Sequence, residues 1–473
     1  MKKLITVLLF ISFAQTANYT LAPIVYAHYE SGGKIWDPQE KSIGVVGWGI
    51  ALRAEIDRLN IELDAYNNRF IGISQKPNDF NHYQGLSWVG NDPQGEQFDF
   101  DVTNTKFSYN YKSIIFEFGK YNKHWGPGIS SLTISNKVPS FPQFGFTYKV
   151  NSNFKFEYFH GSLRSLIEDD NNSQYYNDIG EERPELNRFV AGHRFEWDIT
   201  DRLSLGASEL VVYGVRELDL IYLLPIAPFL SLQQYAGDLD NIQWELDLLC
   251  RFNEKINFYG SFLMDEWTPS MTFDSKNRNW FAYQLGFNYK QMFIESDELI
   301  IEYNWTDHRI YRHQNEINYY YSHEYPLGFW GGPHAEEMIL KYSFRKFNLL
   351  FLLEYSYSKR GELTNQMLVD QYDNVIYDRY SNISEQLSVF DVVITKEIFN
   401  GFNIHLGMSY IDWGNGNFDP YYILKENQTL QEYSDELIDI SKHSILIGFS
   451  QNFDIFNQKA KLTKDSIKKI ISL

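Results

Sequence analysis

One cysteine, Cys250, in 473 residues leaves no internal disulfide to brace the fold, so something else must hold it. Long apolar runs are missing too. Past the first residues no stretch of about 18 apolar residues occurs, and 22% charged residues with a mean hydropathy of -0.39 exclude a helical membrane protein. Cations are in short supply, 42 Lys and Arg against 61 Asp and Glu, for a formal charge of -19. So acidic a chain is a poor partner for nucleic acid, whose phosphates demand Lys and Arg. Contact with an acidic polymer would need a local basic patch or bridging cations. Catalytic signatures are absent: there is no G-x-S-x-G, H-E-x-x-H, Walker loop or cysteine pair, and His323-Glu-Tyr-Pro carries only the first two letters of the zinc motif. The expectation is a protein that is not an enzyme and has no cofactor or metal. No signature recurs with a period of about 20 to 50 residues, which leaves solenoids and propellers without support.

Aromatic residues, by contrast, are abundant, with 34 Tyr, 36 Phe and 11 Trp. Tyr and Trp anchor at both interfaces of a membrane, and aromatics also line saccharide clefts. The stretch Phe402-Asn-Ile-His-Leu-Gly-Met-Ser-Tyr410 shows the pattern of the other strands. Phe402, Ile404, Leu406, Met408 and Tyr410 fall on one face of a strand, and Asn403, His405, Gly407 and Ser409 on the other. In a soluble sandwich the apolar face would be the interior; in an outer-membrane barrel it faces lipid and the polar face lines the lumen. Alternation by itself does not choose between them.

The connections do choose. Tight joints at Glu55–Arg58, Asn110–Lys112, Asn151–Asn153, Thr200–Arg202, Asn253–Lys255, Arg345–Lys346 and Asn400–Gly401 carry turn chemistry between alternating segments. A wider joint spans Ile294 to Glu298. Between them run long irregular stretches such as Phe70–Gln97, Lys123–Gln143, Gly161–Glu185, Gly214–Asp240, Asp307–Glu336 and Asp412–Lys442. Structureless loops beyond about 15 residues are uncommon in a compact soluble domain. Short turns on one side and long loops on the other are the habit of an outer-membrane barrel. About seventeen strands are legible from Ser42–Ala54 to His443–Phe453, and Tyr19–Tyr29, despite Pro23, supplies the one that makes the total even. The predicted fold is all-β: a transmembrane antiparallel barrel of about eighteen strands, over residues 15–456, with its lumen partly filled by infolded loops. Apolar Tyr222–Leu232 is expected to fold into the pore as packing. Residues 1–14 read as a secretory signal peptide, with basic Lys2 and Lys3, an apolar stretch and small residues at Ser12 and Ala14. Residues 457–473 read as a basic amphipathic periplasmic helix.

Three loops are more particular than loops need to be. The first holds His124, Trp125, Gly126, Pro127 and Gly128; the second Glu209, Tyr213, Gly214, Arg216, Glu217, Asp219, Tyr222, Pro225, Asp238, Asp240 and Asn241; the third Tyr311, Arg312, His313, Leu327, Gly328, Gly332, Pro333 and His334. Trp125 stands on backbone stiffened by Pro and freed to turn by Gly, so it can either stack on a sugar ring or plug the lumen. Arg216, Glu217 and Asp219 can bond sugar hydroxyls or an acidic sugar, or form an internal ion network. Asp238, Asp240 and Asn241 have the hard oxygens of a calcium site, although turns use the same residues. Arg312 and His313 suit a sugar carboxylate or a satisfied lumen pair.

Together and in this order, Trp125-Gly-Pro-Gly128, the run from Glu209 to Asn241, and Tyr311-Arg-His313 with Leu327-Gly328 and Gly332-Pro333 resemble the capsule assembly protein Wzi family. His334 departs from it, standing where an acidic residue is expected. The resemblance implies an eighteen-stranded outer-membrane barrel of a Gram-negative-type cell, acting as a surface lectin that anchors exported capsular or extracellular polysaccharide. His124, Trp125, Arg216, Glu217, Tyr222, Asp240, Asn241, Tyr311, Arg312 and His313 are the polysaccharide-binding candidates; Gly126, Pro127, Gly128, Pro225, Gly332 and Pro333 shape the loops. The expected partners are the polysaccharide, outer-membrane lipid and components of capsule export. A general porin or substrate channel is the alternative, since a barrel of this size can hold an aqueous pore.

Overall fold

The computed structural model describes residues 18–456, except 40, 74–75, 88, 92–94, 173, 177–179, 183, 238, 268–269, 271, 273–278, 371–376 and 426–427, together with 459–460. The expected signal peptide and all but two residues of the expected tail helix lie outside the described residues. Those two, Lys459–Ala460, pair as a strand with Phe453–Asp454 instead of forming a helix.

The two-residue alternation produces eighteen long strands among the described residues. They are β1 (Asn18–Glu30), β2 (Ile43–Ile56), β3 (Leu59–Ile71), β4 (Gln97–Tyr111), β5 (Ile114–Tyr121), β6 (Phe141–Lys149), β7 (Phe154–Leu163), β8 (Arg188–Thr200), β9 (Leu203–Gly214), β10 (Asn241–Arg251), β11 (Ile256–Glu266), β12 (Trp280–Lys290), β13 (Glu298–Thr306), β14 (Ala335–Lys346), β15 (Leu349–Gly361), β16 (Ser384–Phe399), β17 (Phe402–Gly416) and β18 (Ile438–Gln451). Each pairs antiparallel with its neighbours in sequence, and β1 closes the ring by pairing Val25–Glu30 with Gln451–Leu446 of β18. Closure leaves no free edge, which is how a strand assembly satisfies its backbone in lipid. Pro23 lies beyond the stretch of β1 that meets β18 and has only β2 as a ladder neighbour, the edge-like setting in which proline is tolerated.

Eight short turns sit on one rim, at 57–58, 112–113, 150–153, 201–202, 252–255, 291–297, 347–348 and 400–401. The other rim carries nine longer connections, 31–42, 72–96, 122–140, 164–187, 215–240, 267–279, 307–334, 362–383 and 417–437, numbered below as outer loops 1 to 9. One turn differs from expectation. Arg345 and Lys346 belong to β14, and the chain reverses at Phe347 and Asn348, with φ of 55° and 57°. Positive φ at both central residues is the primed hairpin turn, and Phe347 does not advertise it. The last outer loop is also shorter than expected, because β17 and β18 extend to Gly416 and back from Ile438.

Burial decides which way the alternation faces. Leu406 and Met408 are 52% and 56% exposed, whereas His405 and Ser409 are 3% and 4% exposed. The apolar face is outside and the polar face inside, the inverted sense of a membrane barrel.

The lumen is packed rather than open. Outer loops 2, 3 and 7 turn inward and bring Phe80, Leu132, Ile134, Val138, Ile310, Tyr311, Tyr320, Leu327 and Phe329 into one buried cluster inside the wall. At the opposite mouth the chain leaving β18 also turns in: Phe453 stacks on Tyr26 at 4.0 Å between ring centroids and meets Tyr66 edge-on. Outer loop 5 behaves differently from expectation. Tyr222 and Phe229 are buried, but against Phe156, Tyr158, Val211 and Tyr213. These wall residues lie in register with the lipid-facing set, opposite to Glu157, Arg194 and Ser208, which face the lumen. Loop 5 therefore folds over the outside of the wall, not into the pore.

Candidate functional site

Outer loop 3 is anchored to the lumen face by buried wall polar groups. Glu302 on β13 accepts from the backbone amides of Ile129 at 2.6 Å and Ser130 at 2.9 Å, and Gln284 on β12 donates to Ser130 O at 3.0 Å. Thr133 donates to Glu245 of β10 at 2.8 Å. A Cβ on Gly128 would lie 2.3 Å from Gln284 Oε1, and Gly126 has a φ of 98°, so this turn needs both glycines. Pro127 stands between them. Trp125 is 3% exposed, donates its indole N–H to Glu157 at 3.0 Å and meets Phe159 edge-on. Its ring is thus enclosed in the lumen plug, the packing alternative of its two, and presents no free face in this structure. His124 bonds Gly128 O through Nε2 and closes the same turn.

Loop 7 interlocks with loop 3. Tyr311 donates its hydroxyl to Leu132 O, accepts from Phe329 N, and stacks on Tyr320. Ser135 bonds the backbone of Leu327 and Gly328. Gly328 has no room for a Cβ, which would lie 2.2 Å from Leu132 O. Tyr311 thus holds the plug together and offers no surface to a ligand.

The second set of candidates forms a closed network on the outer wall. Arg216 grips Asp240 with two bonds of 2.9 and 2.6 Å and Asp219 with one of 3.0 Å, and the Tyr222 hydroxyl donates to Asp240. The Asp240 carboxylate is consumed by these donors, which argues against the calcium reading; Asp238 lies outside the described residues. Asn241 ties loop 5 to loop 7 by donating to Asn318 O at 3.0 Å. Glu217 is exposed, Pro225 lies in the loop's turn before the helix, and neither meets the first or third set. The three groups of candidates therefore do not converge on one site.

What the outer rim does present is a cleft of about 700 Å³ between loops 2, 3, 4, 7, 8 and 9. Tyr319, Tyr321, Tyr325, Trp330 and Tyr421 supply its aromatic walls, and Gly332 and Pro333 its lip. Arg188 reaches it from β8 and spends its guanidinium on the carbonyls of Glu316, Ile317 and Tyr321, which shapes the wall. Arg360, paired with Glu385 at 2.6 Å, and Lys137 complete a polar floor. Burial pushes the Lys137 ammonium down to about 7, and its Nζ donates to Asp79 O and Asn81 O. Arg312 is 1% exposed, its guanidinium 5.8 Å from the centre of the Tyr421 ring and without a hydrogen bond of good geometry among the described residues. His313 is half-buried, accepts from Asn315 N, and is held below its ordinary pKa by burial. Of the sequence candidates, Gly332 and Pro333 line this cleft and Arg312 backs it through Tyr421, while His313 is not among its lining residues; nor were the cleft tyrosines among the candidates. The signal was present in Tyr319-Tyr-Tyr321 and Tyr421-Tyr422, aromatic clusters in polar loops.

Comparison with known proteins gives the following. The family model described as capsule assembly protein Wzi matches residues 73–421. No curated protein matches the chain. Among solved structures, Acinetobacter baumannii OccAB2 is similar at 11% identity and a TM-score of 0.47, over 94% of this chain and 100% of that one. Pseudomonas aeruginosa OccK8 (OprE) is similar at 9% identity and 0.46, over 93% and 98%. Pseudomonas aeruginosa OprD is similar at 11% and 0.45, over 92% and 95%.

Proposed function

This chain belongs to the capsule assembly protein Wzi family, and from that premise we propose that it holds exported capsular or extracellular polysaccharide at the cell surface, in the cleft walled by Tyr319, Tyr321 and Tyr421. The protein is an outer-membrane β-barrel, and the cleft lies on the rim of its long loops. The observation that carries the reading is this aromatic cleft above a lumen closed by interlocked loops. Ring faces suit the C–H faces of sugars, and the surrounding carbonyls, Glu316 and Asp419 suit their hydroxyls. No covalent step is required. Individually weak contacts repeated along one polymer add through effective concentration, so many copies in the membrane retain a chain that each would release. Arg312, buried against the Tyr421 ring, backs that wall of the cleft. Capsule export components are further partners under the same reading.

The test is retention of purified capsular polysaccharide by the protein in proteoliposomes. Tyr421→Ala should lower retention several-fold, while Phe347→Ala on the opposite rim should leave it unchanged. If wild type retains no polysaccharide, the reading fails. A second reading, a substrate channel, draws on a chamber of about 500 Å³ left beneath the plug, lined by Lys341, Glu354 and Asp391. Ion conductance in a planar bilayer tests it directly.

A further inference from the structure

Outer loop 5 has two faces of opposite character. Toward the wall it presents Tyr222 and Phe229, and its helix α1 (Phe229–Ala236) begins with the amides of Phe229 and Leu230 donating to Glu209 at 2.8 and 3.0 Å. Away from the wall it presents Leu220, Leu224, Ile226, Leu230, Tyr235 and Leu239, with Ile226 73% and Tyr235 85% exposed. We propose that this outward face is seated in the lipid of the outer leaflet, so that loop 5 is a membrane foot of the barrel and not a lid over its mouth.

Three observations favour lipid over water. The first is composition. From Leu220 to Gly237 the chain has no Asp, Glu, Lys, Arg or His, in a protein that is 22% charged. The charges of this loop that are bonded are gathered at its two ends, where Arg216 pairs with both Asp219 and Asp240. A long outer loop bathed in water has no reason to exclude charge and expose leucines.

The second is position. Glu209 is in register with Trp244, and Ala207, two residues along β9, is in register with Leu246. Leu246 is one of the exposed apolar residues of the wall, as are Leu205 and Leu248 beside it. Leu230, bonded to Glu209, is therefore laid directly beside the lipid-facing surface, and the loop's apolar face continues it. Tyr235 at the end of α1 suits the interfacial depth at which tyrosine rings settle.

The third is what lies beneath. The outward face of β7 to β9 carries His160, His193 and Glu209, polar groups that are costly to set against hydrocarbon. Under loop 5 they are paired: His193 Nε2 meets Glu209 at 3.0 Å, Trp244 donates to Glu209 at 3.0 Å, and His160 meets the Tyr213 hydroxyl at 2.8 Å. The loop exchanges a polar patch of wall for an apolar surface of its own. That exchange makes sense only where the loop's far side also meets hydrocarbon.

The experiment is site-directed spin labelling in proteoliposomes, in a Cys250→Ser background. Labels at Ile226→Cys and, as a second loop position, Leu220→Cys are compared with Ile423→Cys on outer loop 9. The inference expects collisions with a water-soluble nickel chelate several-fold lower at 226 and 220 than at 423, with oxygen collisions higher. Equal chelate access at all three sites overturns it. Exclusion of the chelate together with spin–spin broadening that vanishes on dilution with unlabelled protein also overturns it, because a second copy then covers the face.

Discussion

At the scale of single residues, the same chemistry takes opposite roles according to burial. Trp125 has its ring enclosed and its indole bonded to Glu157, whereas Tyr421 is exposed in the cleft wall. Trp125→Ala should destabilise the plug by about 3–5 kcal/mol, read as a lower denaturant midpoint. Tyr421→Ala should change stability by less than about 0.5 kcal/mol and be felt in polysaccharide retention. Gly328→Ala should cost about 1–3 kcal/mol, because the new methyl meets Leu132 O and Tyr311 Oη. The loop histidines add a dependence on pH. Burial pushes His308, His323 and His334 down to about 4, while an open loop leaves histidine near 6.5. Closed loops thus bind fewer protons than open ones between those values, so closure is fully stable above about 6.5 and weakens as pH falls toward 4. Each unit of difference is worth about 1.4 kcal/mol. Hydrogen exchange across 307–334, corrected for its intrinsic pH dependence, should accelerate from pH 7 to pH 4.5; an unchanged opening free energy would count against this account.

At the scale of elements, loop 5 shows how one wall residue can organise a whole connection. Glu209 accepts from Phe229 N, Leu230 N and the Trp244 indole, and meets His193. Glu209→Ala orphans those buried donors, at about 1–3 kcal/mol for each left unsatisfied. The expected outcome is protease cleavage within 215–240 while the barrel keeps its heat-dependent electrophoretic mobility. Cleavage equal to wild type would mean that the apolar contacts of Tyr222 and Phe229 suffice. Alternation and turn chemistry located the strands and the outer loops to within a few residues. They missed the turn at Phe347 because its left-handed conformation is imposed by the flanking strands, and they sent Tyr222–Leu232 to the wrong side of the wall. An apolar loop announces that it will be buried, but its composition is silent on which surface will bury it.

At the scale of the whole molecule, an eighteen-stranded ring encloses interlocked loops that fill most of its lumen. In a planar bilayer the protein should therefore lack the large conductance steps of an open barrel of this size; such steps in the intact protein would favour the channel reading. The local rules in the sequence sufficed for the barrel, because a period of two, an even strand count and the contrast between short turns and long loops are properties of neighbours along the chain. The outer-rim cleft was not legible in that way. Tyr319 and Tyr421 are about a hundred residues apart and meet only because loops 7 and 9 fold toward each other over the mouth. The motif residues Trp125, Tyr311 and Arg216 stood out in sequence, yet their partners Glu157, Leu132 and Asp240 turn them into braces. Periodicity is written in consecutive residues, whereas the choice between lumen, lipid and solvent for a given side chain depends on what the closed barrel places opposite it.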